Sequence, residues 1–445
     1  MTTVTGPAPA RVAHWDPEDR EFWERTGARI ARRNLALSVL CEHLGFSVWS
    51  LWSVLVLFLG PEYHIDPAGK FTLTALPTAL GALLRLPYGH AVARFGGRTW
   101  TVVSVLLLLV PTALAALVLT PGVSYGTLLA VACVAGVGGG NFASSMANIN
   151  AFYPHRLKGW ALGLNAGGGN LGVPAVHLLG LLVLATAGAA HPRLLPLLYL
   201  PLVLAAAALA RRRMDNLPRP PGGAAHSLRE VARDPYGWAV SALYIGTFGS
   251  FIGFGFAFGQ VLQTQFHDRF DTPVKAAALT FLGPLLGSLL RPVGGRLADR
   301  WGGPRVTLAA FAAMGAGAAA VLAASRSGSL PLFLAGFVAL FVLSGLGNGS
   351  TYKMIPAHYE ARARAAVAAG TDPATAAAIA RRRTSALIGL AGAIGAFGGV
   401  LVNLAFRESF RTSGNGDTAY LVFLAAYVCC AALTWAVWLR PGARR

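Results

Sequence analysis

TALGALLRLPYGHAVARFGG, residues 78–97, and GPLLGSLLRPVGGRLADRWGG, residues 283–303, are two copies of one pattern. Both fit R-x3-G-x4-R-[FW]-G-G, with Arg85, Gly89, Arg94, Phe95, Gly96 and Gly97 matched by Arg291, Gly295, Arg300, Trp301, Gly302 and Gly303. Arg85 and Arg291 stand 206 positions apart, each inside a long apolar run. A charged side chain at bilayer depth costs roughly 2.5 to 3.5 kcal/mol on insertion scales, so it is seldom there without a use. Two at matched places in a duplicated sequence point to one shared anion site.

The composition is that of a membrane protein. Of 445 residues, 55% are hydrophobic and 12% charged, where soluble domains run near about 25% charged. Twelve apolar segments are read at 35–59, 71–92, 100–120, 125–150, 160–189, 193–210, 238–264, 275–298, 305–325, 331–355, 385–406 and 418–439. Each is long enough to cross about 30 Å of hydrocarbon as a helix. Period-two alternation is absent, which argues against a β-barrel. The expected fold is therefore all-α and membrane-embedded, with twelve transmembrane helices in two pseudo-symmetric six-helix halves. The parts are a segment 1–34, a half 35–210, a linker 211–237, a half 238–439 and a tail 440–445.

Charge sets the orientation. With the N-terminus inside, 27 of the 37 Lys and Arg fall in inner segments, among them Arg11, Arg219, Arg444 and Arg445, against seven in outer ones. Arg85, Arg291 and Lys353 lie in the spans. Both termini are thus expected in the cytoplasm, and the net charge of +19 reads as an insertion signal rather than a nucleic-acid footprint. The first 34 residues are polar and charged, so no cleavable leader is expected. Cys41, Cys133, Cys429 and Cys430 all lie in apolar runs, which argues against disulfides, and no metal-ligand spacing or cofactor motif is seen.

The repeat extends beyond the arginines. GGGN at 138–141 pairs with GLGN at 345–348, and GLNAGGGNLG at 163–172 with GLAGAIGAFG at 389–398. The wider offset of the second pair comes from an Ala-rich, helix-prone insertion around 359–383. SLREVARDP in the linker suggests a short surface helix.

Arg suits an oxyanion because its planar fork donates paired hydrogen bonds. The alternatives are snorkelling, which Arg85 lies too deep for, or pairing with an acid. Only Glu42 lies within a span, with Asp299 at a cytoplasmic edge, so the substrate is the expected counter-ion. The glycines of the two signature segments allow close helix packing. They are Gly163, Gly167, Gly168, Gly169 and Gly172, then Gly389, Gly392, Gly395, Gly398 and Gly399. Asn170 interrupts the first segment and faces Ala396 in the repeat, so the site is asymmetric. Tyr244, Phe248 and Phe251 share a helix face, and Phe46, Trp49 and Phe142 add rings. Glu42 and His43 offer a candidate proton-carrying pair or, on the stronger reading, ordinary buried polar residues.

Taken together, these features resemble the nitrate/nitrite porter (NarK-type) family of the major facilitator superfamily. The resemblance rests on WDPEDREFWERTGARIARRNL (15–35), GGGNFASSMANI (138–149), GLNAGGGNLGV (163–173), YIGTFGSFIGFGFAF (244–258), GLGNGSTYKMIP (345–356) and the glycine-rich 389–399. It implies that Arg85 and Arg291 bind substrate, Asn170 and Tyr244 hydrogen-bond it, and Phe46, Phe142 and Phe248 form aromatic walls. Gly89, Arg94, Gly295, Asp299 and Arg300 resemble the superfamily's loop gating motif, with Ala93 where Asp is usual. It also implies alternating access by a non-enzymatic, multi-pass transporter of the cytoplasmic membrane. The expected partners are nitrate, nitrite and lipid, and the expected state is a monomer. Nitrate/nitrite antiport is the leading mechanism; nitrate–proton symport through Glu42, an anion channel and a transporter-like sensor are the alternatives.

Overall fold

In the computed structural model, residues 12, 14–218 and 224–441 are described. The expectations for Arg11, Arg219, Arg444 and Arg445, and for the outermost parts of both tails, lie outside them. The described chain is a bundle of long helices. Among these residues, eleven helices are long and apolar enough to cross a membrane: Arg20–Phe58, Gly97–Val118, Tyr125–Phe152, His155–Thr186, Leu194–Arg213, Pro235–Gln265, Pro273–Trp301, Gly303–Ser327, Leu330–Ala368, Pro373–Ser413 and Asp417–Leu439. The remaining expected span is the helix Pro67–Phe95, of 29 residues. It falls short on apolarity because it carries Arg85, two internal prolines and a polar end. Counting it second gives spans one to twelve.

Span boundaries follow local chemistry. Asp66 caps span two by accepting from Gly69 N, with Pro67 at the first helical position. Spans two and eight both end at a glycine of positive φ, Gly96 at 92° and Gly302 at 86°. Only glycine turns there without strain, and each reverses the chain directly into the next span. The duplicated R-[FW]-G-G is therefore a helix–turn–helix device.

The insertion is not a separate element. Spans ten and eleven run on through it as helices of 39 and 41 residues. They are broken only near Gly370, with Asp372 capping the restart before Pro373. The linker helix is present at Ala224–Ala232. Around it, Glu230 pairs with Arg383 at 2.9 Å and Asp234 with Arg362 at 2.9 Å, while Asp215 joins Arg33 at 2.6 Å and Asn34 at 2.7 Å. These ties lie on the side that the charge bias assigns to the cytoplasm, and the sides are named on that basis.

Contacts between the halves close both ends of the molecule. On the outer side, Phe71 stacks on Phe406 and Phe410 at 5.6 and 5.3 Å. Nearby, buried Thr74 donates to Asn403 Oδ1 at 2.7 Å and Gln260 to the Pro67 carbonyl at 2.6 Å. On the inner side, Asn150 donates to Ser385 at 2.6 Å and His155 meets Glu360 at 3.4 Å.

Candidate functional site: a buried arginine pair

Arg85 is fully buried and Arg291 is 6% exposed. Neither makes an ion pair with a carboxylate among the described residues. Arg85 Nε donates to the Gly139 carbonyl at 3.3 Å and Nη1 to the Gly392 carbonyl at 2.7 Å. The second bond crosses from one half to the other. Its guanidinium lies over Phe142 at 4.6 Å, Phe248 at 4.8 Å and Trp49 at 5.4 Å. Arg291 Nη2 donates to the Tyr244 hydroxyl at 3.0 Å, and its guanidinium lies 5.3 Å from Tyr352 and 5.8 Å from Phe142. Phe142 is thus a ring shared by both cations. Cation–π contacts offset part of the cost of burying a guanidinium. One buried nitrogen of each, Arg85 Nη2 and Arg291 Nη1, has no hydrogen-bond partner among the described residues.

The aromatic residues form one continuous cluster. Tyr244 stacks on Phe248 at 5.2 Å, Phe248 on Phe142 at 6.1 Å, and Phe142 meets Phe46 edge-on at 6.2 Å. A turn of π-helix at Ile245–Gly249 interrupts span seven between Tyr244 and Ser250. Such bulges concentrate at functional sites because they re-aim side chains.

The glycine segments divide into two groups. Gly168, Gly169 and Gly172 press against Val39, Glu42 and His43 of span one, where a side chain would collide. Gly395, Gly398 and Gly399 press against Tyr244, Ile245 and Ile252 of span seven in the same way, and Gly392 faces Arg85 and Phe142. At Gly163, Gly167 and Gly389 an added Cβ would meet open space. Asn170 is buried, and both atoms of its amide lack a protein partner.

Glu42 does not pair with His43. Its Oε2 accepts from the Ser145 hydroxyl and from Asn165 Nδ2 at 2.6 Å, while His43 Nδ1 turns to the Gly168 carbonyl at 3.3 Å. Consecutive residues on a helix point about 100° apart, so the sequence neighbours meet different residues of span five, Asn165 and Gly168. In the loop motif, Asp299 pairs with Lys353 at 2.9 Å, both partly exposed. Lys353 therefore sits at the cytoplasmic rim rather than within the bilayer. Arg94 and Arg300 lie over the rings of Phe95 and Trp301, at 5.4 and 5.9 Å. A Cβ at Gly295 would meet open space, and one at Gly89 would make ordinary contact with Ala143 at 3.9 Å.

Sequence reasoning missed Tyr352, Ser145, Asn165 and the glycine carbonyls that accept from Arg85. Tyr352 and Asn165 do stand inside quoted motifs, GLGNGSTYKMIP and GLNAGGGN, as polar residues in apolar surroundings.

The Major Facilitator Superfamily profile matches residues 35–380. "Nitrate/nitrite transporter NarU" of Salmonella typhimurium is 38% identical over 96% of both chains. The chain belongs to the nitrate/nitrite porter family of the major facilitator superfamily. A "Probable nitrate/nitrite antiporter NarK2" of Thermus thermophilus is 29% identical over 98% of both chains. Among solved structures, a D-xylose-proton symporter superposes with a TM-score of 0.68 at 15% identity, covering 93% of this chain and 99% of its own. That likeness concerns the fold. The protein is a multi-pass membrane transporter and not an enzyme.

Proposed function

We propose that this porter carries nitrate and nitrite by alternating access, exchanging one anion for another. The observation that carries the reading is the arginine pair: two buried guanidiniums on matching helices, each with one nitrogen unpartnered. Two planar forks between flat rings suit a small planar or bent oxyanion. Phe46, Phe142 and Phe248 supply the walls, Tyr244 orients Arg291, and the unpartnered amide of Asn170 is a further polar contact for the anion. The halves 35–210 and 238–439 rock about this site. The motif residues Gly89, Arg94, Gly295, Asp299 and Arg300 make the inner rim of the movement. The names of the relatives agree with this substrate class, and a monomer in the cytoplasmic membrane suffices for it.

Exchange follows from charge. Neither arginine has a carboxylate partner among the described residues, so an anion bound between them cancels charge that otherwise faces a low dielectric. A cleft closing without an anion would enclose that charge in a low dielectric, at a cost of several kcal/mol. Loaded crossing is therefore fast and empty return slow. Proton symport is the second reading, because Glu42 lies in the same core and a proton on it would change this balance.

The test is transport by purified protein in liposomes. Nitrate should enter when nitrite or nitrate is inside, and barely enter otherwise, with or without a pH gradient. Nitrite and chlorate should compete; sulfate and phosphate should not. Strong proton-driven uptake into anion-free liposomes would replace exchange by symport, and competition by sulfate equal to that by nitrite would remove the planar-clamp geometry.

A further inference from the structure

Glu42 is 1% exposed, and its two oxygens have different surroundings. Oε2 is held by Ser145 and Asn165, while Oε1 has no partner in the protein. Glu42 also lines a small cavity together with Ser38, Thr101, Ser104, Asn141 and Ser144. These residues come from spans one, three and four, so the cavity lies inside the N-terminal half and apart from the cleft that Arg85 bridges to Gly392. It has room for about one water molecule.

The lining is polar and under-satisfied. Ser38 Oγ and both amide atoms of Asn141 lack protein partners, as does Asn148 Nδ2 two turns further along span four. Asn141, Ser144, Ser145 and Asn148 recur at helical spacing, a polar stripe descending towards the cytoplasmic end. Thr101 and Ser104 stand in the first two turns of span three, which starts at Gly97 beside the inner loop. Asn148 packs against Gly97 itself. Buried polar groups almost always find a partner in protein or ordered water. Unpartnered polar atoms thus recur from Glu42 through Ser38 and Asn141 to Asn148 beside the inner loop.

We propose that these residues line a hydrated passage open to the cytoplasm alone, that Glu42 exchanges protons through it, and that an anion bound at the arginine pair draws a proton onto Glu42. The proposal rests on the arginine pair being the anion site. The charged groups that act on Glu42 are Arg291 of span eight and Arg85 of span two. Tyr352 of span ten faces the same core. On its own helix, Cys41 is a buried thiol and His43 is turned away to Gly168. An anion between the arginines offsets part of their pull, so the carboxylate binds a proton more readily. By linkage, a proton on Glu42 tightens anion binding by the same factor. Because the passage opens on one side, the proton returns to the compartment it left. Cytoplasmic pH then tunes anion affinity, and a pH gradient does no transport work.

The experiment begins with nitrate titration of the purified protein in weak buffer containing a pH indicator. Nitrate binding should take up protons, up to about one per protein, and the nitrate Kd should fall by at most about tenfold per unit decrease in pH. Glu42→Gln should show neither effect. Native protein that binds nitrate without proton uptake overturns the proposal, and no nitrate binding at all overturns the arginine reading instead. In oriented vesicles loaded with nitrite, exchange should respond to pH on the cytoplasmic face alone; an equal response to both faces overturns the one-sided passage. Ser38→Val fills the cavity and leaves the partners of Glu42 in place. It should slow the proton step several-fold in stopped flow, and an unchanged rate removes the cavity from the path.

Discussion

The two arginines occupy matching positions in the repeat, yet the two halves hold them differently. Arg85 is tied by two backbone carbonyls, one from its own half and one from the other, and is covered by three rings. Arg291 is tied by one tyrosine hydroxyl from its own half and covered by two rings. Glu42 and Asn170 belong to the N-terminal half alone. The duplication keeps the cation and changes its surroundings. Arg85 can act as substrate ligand and as a latch between halves, whereas Arg291 is placed by an adjustable side chain. On the proposed reading, one arginine bears on affinity and closure together, the other on affinity.

Lysine substitutions should split these roles and give the largest effects. Each removes the planar fork while keeping charge. Losing a hydrogen bond to a charged partner costs roughly 2–3 kcal/mol, or about thirtyfold to hundredfold in nitrate affinity. Arg85→Lys should in addition exchange slowly at saturating nitrate, because the bond to Gly392 that crosses the halves is lost. Arg291→Lys should recover most of its rate at saturation. Binding titrations and exchange at several nitrate concentrations read the two quantities separately. Identical behaviour of the two variants would erase the asymmetry, and near-native affinity in both would remove the arginines from the site.

Tyr244→Phe sharpens the other side of the comparison. The hydroxyl accepts from Arg291 Nη2 and belongs to the same half, so its loss should leave closure untouched. A bond to a charged donor is worth about 1.5 kcal/mol at the low end, which corresponds to roughly a tenfold weaker nitrate Kd with an unchanged maximal rate. The ring remains and should keep its stack on Phe248. A fall in maximal rate without a change in Kd would instead place Tyr244 in the moving contact between halves.

The pattern of what could be read from sequence has physical causes. Arg85 and Arg291 stood out because charge in an apolar run is costly and the two runs repeat. The ring cluster was partly visible, since Tyr244, Phe248 and Phe251 share one helix face. The acceptors of Arg85 were hidden, because a backbone carbonyl has no residue signature and depends on how spans four and eleven dock. Ser145 and Asn165 were hidden for the same reason: their meeting with Glu42 joins three spans far apart in sequence. The candidate Glu42–His43 pair, the weaker of the two readings, does not form, because consecutive helix positions point about 100° apart. The insertion at 359–383 was read as helical, but not as a continuation of spans ten and eleven. The signal for that was G-T-D-P at 370–373, where a glycine of positive φ and a capped proline start make a single tight break.

The smallest expected effect lies at the rim, where the halves differ by a whole ion pair. Asp299 meets Lys353 in the C-terminal half. Ala93 stands where Asp299 stands in the repeat, and Met146 stands where Lys353 does, by the offset that pairs GGGN with GLGN. The N-terminal half therefore holds neither partner, and Met146 is buried in the apolar core. The pair is present or absent as a unit, as expected if either charge alone would be uncompensated beside closely packed helices. Both side chains of the existing pair are substantially exposed, at 56% for Asp299 and 41% for Lys353. An exposed pair contributes about 0–1 kcal/mol and is weakened by salt. Asp299→Asn should thus change the exchange rate by less than about fivefold at low salt, and less again as salt rises. The double variant Asp299→Asn with Lys353→Met copies the arrangement of the first repeat and should lie closer to the native rate than either single change. A large, salt-insensitive loss in Asp299→Asn would show that the rim of the C-terminal half bears on the movement far more than the geometry of an exposed pair allows.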